Sequence, residues 1–173
     1  MALTKEQIKE FKEAEGGAEK FRIILYLAGD IAKAGDKEWA KKVYKKAENK
    51  ASSVNNYIDI AESINEHLNE EDWAKKLYCK AEKECPKENY LTYITLANSI
   101  IETFNDRKWG KELYKKAEKT EGSELGTVGC YIISDFGDKE WGKKVLEKGL
   151  NEAVNNKDKE QIKSYEELIK ELC

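Results

Sequence analysis

The stretch that decides the fold is "GDKEWAKKVYKKAE", residues 35–48. It recurs in variant form as "NEEDWAKKLYCKAE" (69–82), "NDRKWGKELYKKAE" (105–118) and "GDKEWGKKVLEKGL" (137–150). The tryptophans of the four copies are Trp39, Trp73, Trp109 and Trp141, at spacings of 34, 36 and 32 residues. A period of this length is typical of stacked supersecondary repeats, each of which needs its neighbours to bury its apolar face.

Each copy begins with a pair of residues that favours a sharp turn between two helices. The first of the pair is Gly or Asn and the second is Asp or Glu. Gly and Asn readily adopt the left-handed conformation that ends a helix. Asp is a preferred N-cap, and a carboxylate suits the positive end of the next helix. The pattern therefore predicts four tight αα-hairpins.

The second helix of each hairpin carries small residues along the middle of its apolar stripe and bulky residues on both flanks, at about 100° per residue. The small residues should let a neighbouring helix approach closely, while the flanks bury most of the apolar area. Aromatic residues at helical spacing usually pack in cores. We therefore expect structural roles for Trp39, Tyr44, Trp73, Tyr78, Trp109, Tyr114 and Trp141.

The first helices are more apolar, as expected of helices that contact both a hairpin partner and the next repeat. The two end segments are amphipathic, and Thr4 with Gln7 matches a capping box. The sequence thus predicts an all-α fold: an α-α solenoid of about four hairpins with a capping helix at each end, about ten helices in one domain, 1–173. The predicted segments are an N-terminal helix (4–15), repeats at 18–50, 52–85, 87–120 and 122–153, and a C-terminal capping helix (158–172).

The repeat resembles the tetratricopeptide repeat (TPR), a helix-turn-helix unit of about 34 residues. That family carries a small residue, an aromatic four later, Ala three later and Pro five later on its second helix. The second repeat matches all four positions, with Ala74, Tyr78, Ala81 and Pro86. The Trp before the small residue and the uneven spacing depart from the family pattern, which leaves the superhelical curvature open.

The resemblance implies a concave groove that is lined by the first helices and holds a peptide or protein segment. The groove positions that it implies are Arg22, Asn56, Asp59, Ser63, Thr92, Thr95, Ser99, Glu102, Thr127, Tyr131 and Ser134. The first helices of repeats two and three contain acids but no Lys or Arg, whereas the second helices are lysine-rich. We therefore predict a non-catalytic scaffold for protein binding whose partner is a neutral to basic segment.

Three other interpretations stay open at this stage. The charged faces can be solvated surface alone. The array can be a structural or self-assembly module, as a monomer or a side-by-side dimer. More distantly, the lysine-rich convex face can bind RNA, although 31 basic against 34 acidic residues give no general attraction to nucleic acid or anionic membrane.

Several function classes are not expected. No apolar run approaches the roughly 20 residues of a membrane span, and the N-terminus lacks the apolar region of a secretory signal, so a cytoplasmic location is the default. The cysteines are Cys79, Cys85, Cys130 and Cys173, without a Cys-x-x-Cys pair, and His67 is the single histidine. We therefore expect neither a metal nor another cofactor. With no nucleophile and base in recognisable spacing, we also expect no enzymatic activity.

Overall fold

A computed structural model describes residues 3–86, 88–122 and 124–172; Cys173 thus lies outside the described residues. Within these ranges the chain is all-helical and contains no strand. The helices are α1 (Lys5–Gly17), α2 (Phe21–Lys33), α3 (Lys37–Lys50), α4 (Val54–Leu68), α5 (Glu71–Lys83), α6 (Tyr90–Phe104), α7 (Arg107–Lys119), α8 (Leu125–Phe136), α9 (Lys139–Asn156) and α10 (Lys159–Leu172).

The helices pack as hairpins of neighbours, α2 with α3, α4 with α5, α6 with α7 and α8 with α9. This is the arrangement of an α-α solenoid, and the predicted fold class is confirmed. The chain forms two compact units, Met1–Glu84 and Cys85–Cys173, with two hairpins in each. In the first unit α4 packs on both α2 and α3; in the second α8 packs on α7.

The turn inside each hairpin follows the predicted chemistry. A left-handed residue ends the first helix, with φ of 103° at Gly35, 57° at Asn69, 53° at Asn105 and 65° at Gly137. In three copies the following aspartate accepts a hydrogen bond from the backbone N–H of the tryptophan three residues on. These pairs are Asp36–Trp39, Asp106–Trp109 and Asp138–Trp141, at 2.9, 2.9 and 3.0 Å.

The small residues of the second helices bring the hairpin partners close together, as predicted. A Cβ added at Gly142 would lie 2.3 Å from Cγ1 of Ile133, and one at Gly110 would lie 2.5 Å from Cδ1 of Ile101. Neither glycine could be replaced without displacing the isoleucine that it contacts on the partner helix, because real Cβ contacts are essentially never so short. The tyrosines of the second helices, Tyr44, Tyr78 and Tyr114, are fully buried, and the four tryptophans are half-buried.

The N-terminal helix begins with the predicted capping box. The Thr4 hydroxyl accepts from the Gln7 N–H at 3.2 Å, and the Gln7 side chain accepts from the Thr4 N–H at 3.0 Å. The helix then continues to Gly17, two residues beyond the predicted end. Its apolar side is only half-buried at Ile8 and Phe11.

The C-terminal helix follows α9 through a turn of the kind found inside the hairpins. Lys157 is left-handed, with φ 57°, and Asp158 accepts from the Gln161 N–H at 3.0 Å. The helix α9 continues to Asn156, so the break is shorter than the sequence suggested. As a result, α10 packs on α9 and reaches α8. Its apolar stripe, which includes Tyr165 and Leu168, stays half-buried.

Among the described residues, no helix combines the length and the apolar character required to cross a bilayer.

Candidate functional site

The helices α8, α9 and α10 of the second unit surround a groove of about 830 Å³. We call it the α8–α10 groove. Both α8 and α10 pack on α9, and each contributes one row of lining residues. The described lining residues are Gly122, Glu124, Gly126, Thr127, Cys130, Tyr131 and Ser134 from α8 and the segment before it, Gly149, Glu152, Ala153 and Asn156 from α9, and Gln161, Ser164, Tyr165 and Leu168 from α10.

Tyr165 holds the three helices in place around the groove. Its hydroxyl accepts a hydrogen bond from the backbone N–H of Gly126, in the first turn of α8, at 3.0 Å. Its ring packs on α9 at Gly149, where an added Cβ would lie 2.5 Å from two ring atoms. Only glycine therefore allows this approach of α10 to α9. The small residues Gly149 and Ala153 leave space that larger side chains would fill.

The groove has a negative electrostatic character. Its described lining residues include the carboxylates of Glu124 and Glu152 and no Lys or Arg. Burial raises the pKa of Tyr165, and the charges of Glu152 and Glu124 raise it further despite the hydrogen bond from Gly126. Both carboxylates therefore act on the centre of the groove.

The two carboxylates differ in their surroundings. Glu124 accepts a hydrogen bond from the Thr127 hydroxyl at 3.2 Å. Burial, and then a hydrogen bond with Glu124, raise the pKa of Tyr90, the first residue of α6. Glu152, in contrast, is exposed and makes no hydrogen bond or ion pair with any residue that the structure describes. Its charge is thus open to the groove.

Three of the predicted groove positions, Thr127, Tyr131 and Ser134, do come together and line this groove. The predicted positions of the third repeat, Thr92, Thr95, Ser99 and Glu102, lie on α6 and do not line it.

The predicted positions of the first unit lie on α2 and α4, which pack together. Burial raises the pKa of Asp59, and the nearby charge of Arg22 partly offsets this effect. Two of the other side chains already serve the protein's own structure. The Asn56 side chain accepts from the Ser52 N–H at 3.1 Å, and the Ser63 hydroxyl lies 2.7 Å from that of Tyr44.

The half of the groove that α9 and α10 provide was not predicted from the sequence. One signal was present, because "DKEW" at 138–141 is followed by the related "DKEQ" at 158–161. The same N-cap chemistry at Asp138 and Asp158 begins the second helix of a hairpin in both places. It indicates that α10 turns back beside α9, and therefore that it shares a groove with α8.

A second set of residues, which we call the Trp–Glu–Lys contact, joins α1 to α3, α3 to α5 and α7 to α9. The tryptophan indole N–H donates to a glutamate near the end of an earlier helix, in the pairs Trp39–Glu15 (2.8 Å), Trp73–Glu48 (3.3 Å) and Trp141–Glu118 (3.4 Å). The lysine seven residues after each tryptophan binds the same carboxylate, in the pairs Lys46–Glu15, Lys80–Glu48 and Lys148–Glu118.

The Trp–Glu–Lys contact favours ionised carboxylates. Burial opposes ionisation of Glu15 and Glu48, but hydrogen bonds outweigh burial and lower both pKa values. The donors are Lys46 and Trp39 for Glu15, and Lys45 and Lys80 for Glu48. The tryptophans of these three contacts are thus half-buried residues with a polar function, and their glutamate partners were not predicted from the sequence.

No group of three or more His, Cys, Asp or Glu side chains within the described ranges is arranged to hold a metal ion. Comparisons of the chain with protein-family models, with curated proteins and with solved structures find no match.

Proposed function

We propose that the chain is a TPR-like, non-catalytic interaction module of the cytoplasm that binds a peptide or protein segment in the α8–α10 groove. The observation that carries the proposal is the groove itself, which combines predicted groove positions on α8 with a second wall from α10. Its volume of about 830 Å³ is in the range of protein ligand sites. A cytoplasmic setting suits the cysteines Cys79, Cys85 and Cys130, which are thiols.

The lining chemistry suits recognition of a polypeptide. Hydroxyl and amide groups line both walls, among them Ser134, Ser164 and Gln161, and can pair with a peptide backbone. Tyr131 leaves 42% of its surface exposed at the groove. Exposed tyrosine beside polar groups is typical of protein interfaces.

The same chemistry favours binding over catalysis. The raised pKa of Tyr165 keeps its phenol protonated near neutral pH, where it is a hydrogen-bond donor and not a base. Its oxygen accepts the Gly126 N–H, and its own proton has no acceptor among the described residues. That proton is available to a carbonyl group of a bound segment.

The test fills the groove without altering the helices. Ser164 is exposed on α10 and lines the groove, so Ser164→Trp places a large ring in it. Lys163→Trp is the matched control, because Lys163 is the exposed neighbour on the same helix and does not line the groove. Circular dichroism of both variants first establishes that they fold as the wild type does.

A phage library of random dodecapeptides is then selected on the full chain, and the enriched peptides are measured by fluorescence anisotropy. We expect Ser164→Trp to weaken their binding at least tenfold and Lys163→Trp to leave it within twofold. Peptides that bind equally well to wild type and to Ser164→Trp, or a selection that enriches no peptide, would overturn the proposal.

A further inference from the structure

We infer that the segment held in the α8–α10 groove presents a basic side chain, Arg or Lys, to the carboxylate of Glu152. This inference rests on the proposed function, and it names the chemical class of the partner at that site.

Glu152 lacks the partners that nearby carboxylates have. The lysine one turn before it, Lys148, is engaged by Glu118 at 3.8 Å, and the residue one turn after it, Asn156, is neutral. No described residue forms an ion pair or a hydrogen bond with the Glu152 carboxylate. The groove therefore contains a charge for which no described residue supplies a counter-ion.

Glu152 contrasts with the carboxylates that hold the repeats together. Glu15, Glu48 and Glu118 each bind a lysine and a tryptophan. The other acid of the groove, Glu124, accepts a hydrogen bond from Thr127. Among the described lining residues, Glu152 is thus the carboxylate that is open to a ligand.

The second carboxylate and the opposite wall support the same partner class. An acidic segment would meet the like charges of Glu124 and Glu152 with no Lys or Arg among the described lining residues, and such a juxtaposition disfavours binding. On α10, Tyr165 and Leu168 are half-buried and line the groove. They offer apolar surface to the aliphatic stem of Arg or Lys, and the tyrosine ring also attracts a cation.

The experiment compares two variants of α9 that lose the same charge. Glu152→Gln removes the groove charge and keeps the shape of the side chain. Glu147→Gln is the matched control, because Glu147 is exposed on the same helix and does not line the groove. The dodecapeptide library is selected in parallel on wild type and on both variants. We expect wild type and Glu147→Gln to enrich Arg and Lys, and Glu152→Gln to lose that enrichment.

A single selected peptide then tests the contact directly. Replacing its arginine with citrulline, the uncharged isostere, should weaken binding to wild type about tenfold, as expected for one charged hydrogen bond. The same replacement should change binding to Glu152→Gln by less than twofold.

The outcomes separate the inference from the proposed function. Two outcomes would overturn the inference and leave the groove as a peptide site. In the first, Ser164→Trp weakens binding of the selected peptides, but these peptides carry no excess of basic residues. In the second, the peptides bind Glu152→Gln as tightly as they bind wild type. A failure of all peptides to respond to Ser164→Trp would overturn both. Equal losses on Glu152→Gln and Glu147→Gln would indicate a long-range charge effect and would also overturn the assignment to Glu152.

Discussion

Replacing Glu48 with alanine should lower the free energy of unfolding of the first unit by about 2 kcal/mol. Glu48 ends the repeated phrase, and its side chain is only 10% exposed. Its carboxylate accepts hydrogen bonds from the Trp73 indole N–H at 3.3 Å and from Lys45 at 2.7 Å, and it also binds Lys80. The substitution removes the acceptor of all three donors at once.

The expected magnitude is dominated by the tryptophan. A half-buried N–H that loses its acceptor costs about 1–2 kcal/mol. Lys45 and Lys80 have 60% and 51% of their side-chain surface exposed, so water replaces the carboxylate and each ion pair contributes about 0.5 kcal/mol or less. Loss of a buried methylene costs about 0.8 kcal/mol, and the better helix propensity of alanine returns about 0.4 kcal/mol. These terms together give about 2 kcal/mol.

The assay is urea unfolding followed by far-ultraviolet circular dichroism. Glu38→Ala is the control, because Glu38 belongs to the same phrase and pairs with Lys41 at 3.4 Å but is 83% exposed. We expect that control to lose less than about 0.5 kcal/mol. Equal losses in the two variants would mean that burial of Glu48 contributes nothing.

A double-mutant cycle isolates the hydrogen bond itself. Trp73→Phe keeps an aromatic ring and removes the indole N–H, and we expect a coupling energy of about 1 kcal/mol with Glu48→Ala. Additive effects, with a coupling below about 0.3 kcal/mol, would refute the claim that the pair is energetically linked.

Three further predictions concern packing and pH. Gly142→Ala should destabilise the second unit by about 1–3 kcal/mol, because its Cβ would be forced against the partner helix. Gly16→Ala in α1 meets no atom within 4 Å and should stabilise the protein by up to about 1 kcal/mol. Thermal unfolding of both variants tests this difference in sign. The lowered pKa of Glu48 stabilises the fold at pH values above its ordinary 4.5, and this contribution is lost as the pH falls below that value, so Glu48→Gln should flatten the acid side of a melting-temperature profile. Burial, followed by a hydrogen bond with Asp135, raises the pKa of Tyr114 above its ordinary 10.0. The protonated phenol therefore contributes stability that is present below pH 10.0 and is lost at higher pH. Tyr114→Phe should make unfolding less sensitive to alkali, and an unchanged pH profile of unfolding would contradict this role of Tyr114.

The hairpins could be predicted because their determinants lie within a few residues of one another. The left-handed residue, the acidic N-cap and the first turn of the next helix occupy five consecutive positions, as at Gly35 to Trp39. Such local chemistry does not depend on the rest of the chain. The small residues that allow close helix contact were likewise visible at helical spacing, and Gly110 and Gly142 occupy the predicted positions.

The Trp–Glu–Lys contact could not be predicted in the same way. Its partners are 23 to 25 residues apart, as in Trp141–Glu118 and Trp73–Glu48. Their meeting depends on the rotation between consecutive hairpins, which no local pattern encodes. The sequence shows only the glutamate of this contact, as part of the "AE" that ends each of the first three phrases.

The exact end of α9, from which α10 turns back, could not be predicted for a different reason. It depends on Lys157 in the left-handed conformation, which costs a residue with a Cβ roughly 1–2 kcal/mol and is not signalled by lysine. Asn155 and Asn156 are better candidates for that conformation, so the sequence suggested an earlier break. The structure stabilises the less favourable residue through the Asp158 N-cap and the contact of Tyr165 with Gly126.

The fourth copy of the phrase differs from the others at the positions that build the groove. Its last two residues are Gly149 and Leu150, where the other three copies have alanine and glutamate. In α10, Gln161 stands at the position of the missing tryptophan, three residues after the N-cap, so no indole N–H requires a glutamate on α9. The glycine instead admits the ring of Tyr165, which positions α10 beside α8. The change from "AE" to "GL" therefore replaces a repeat-to-repeat contact with an open groove, and it places the candidate binding site where the repeat pattern degenerates.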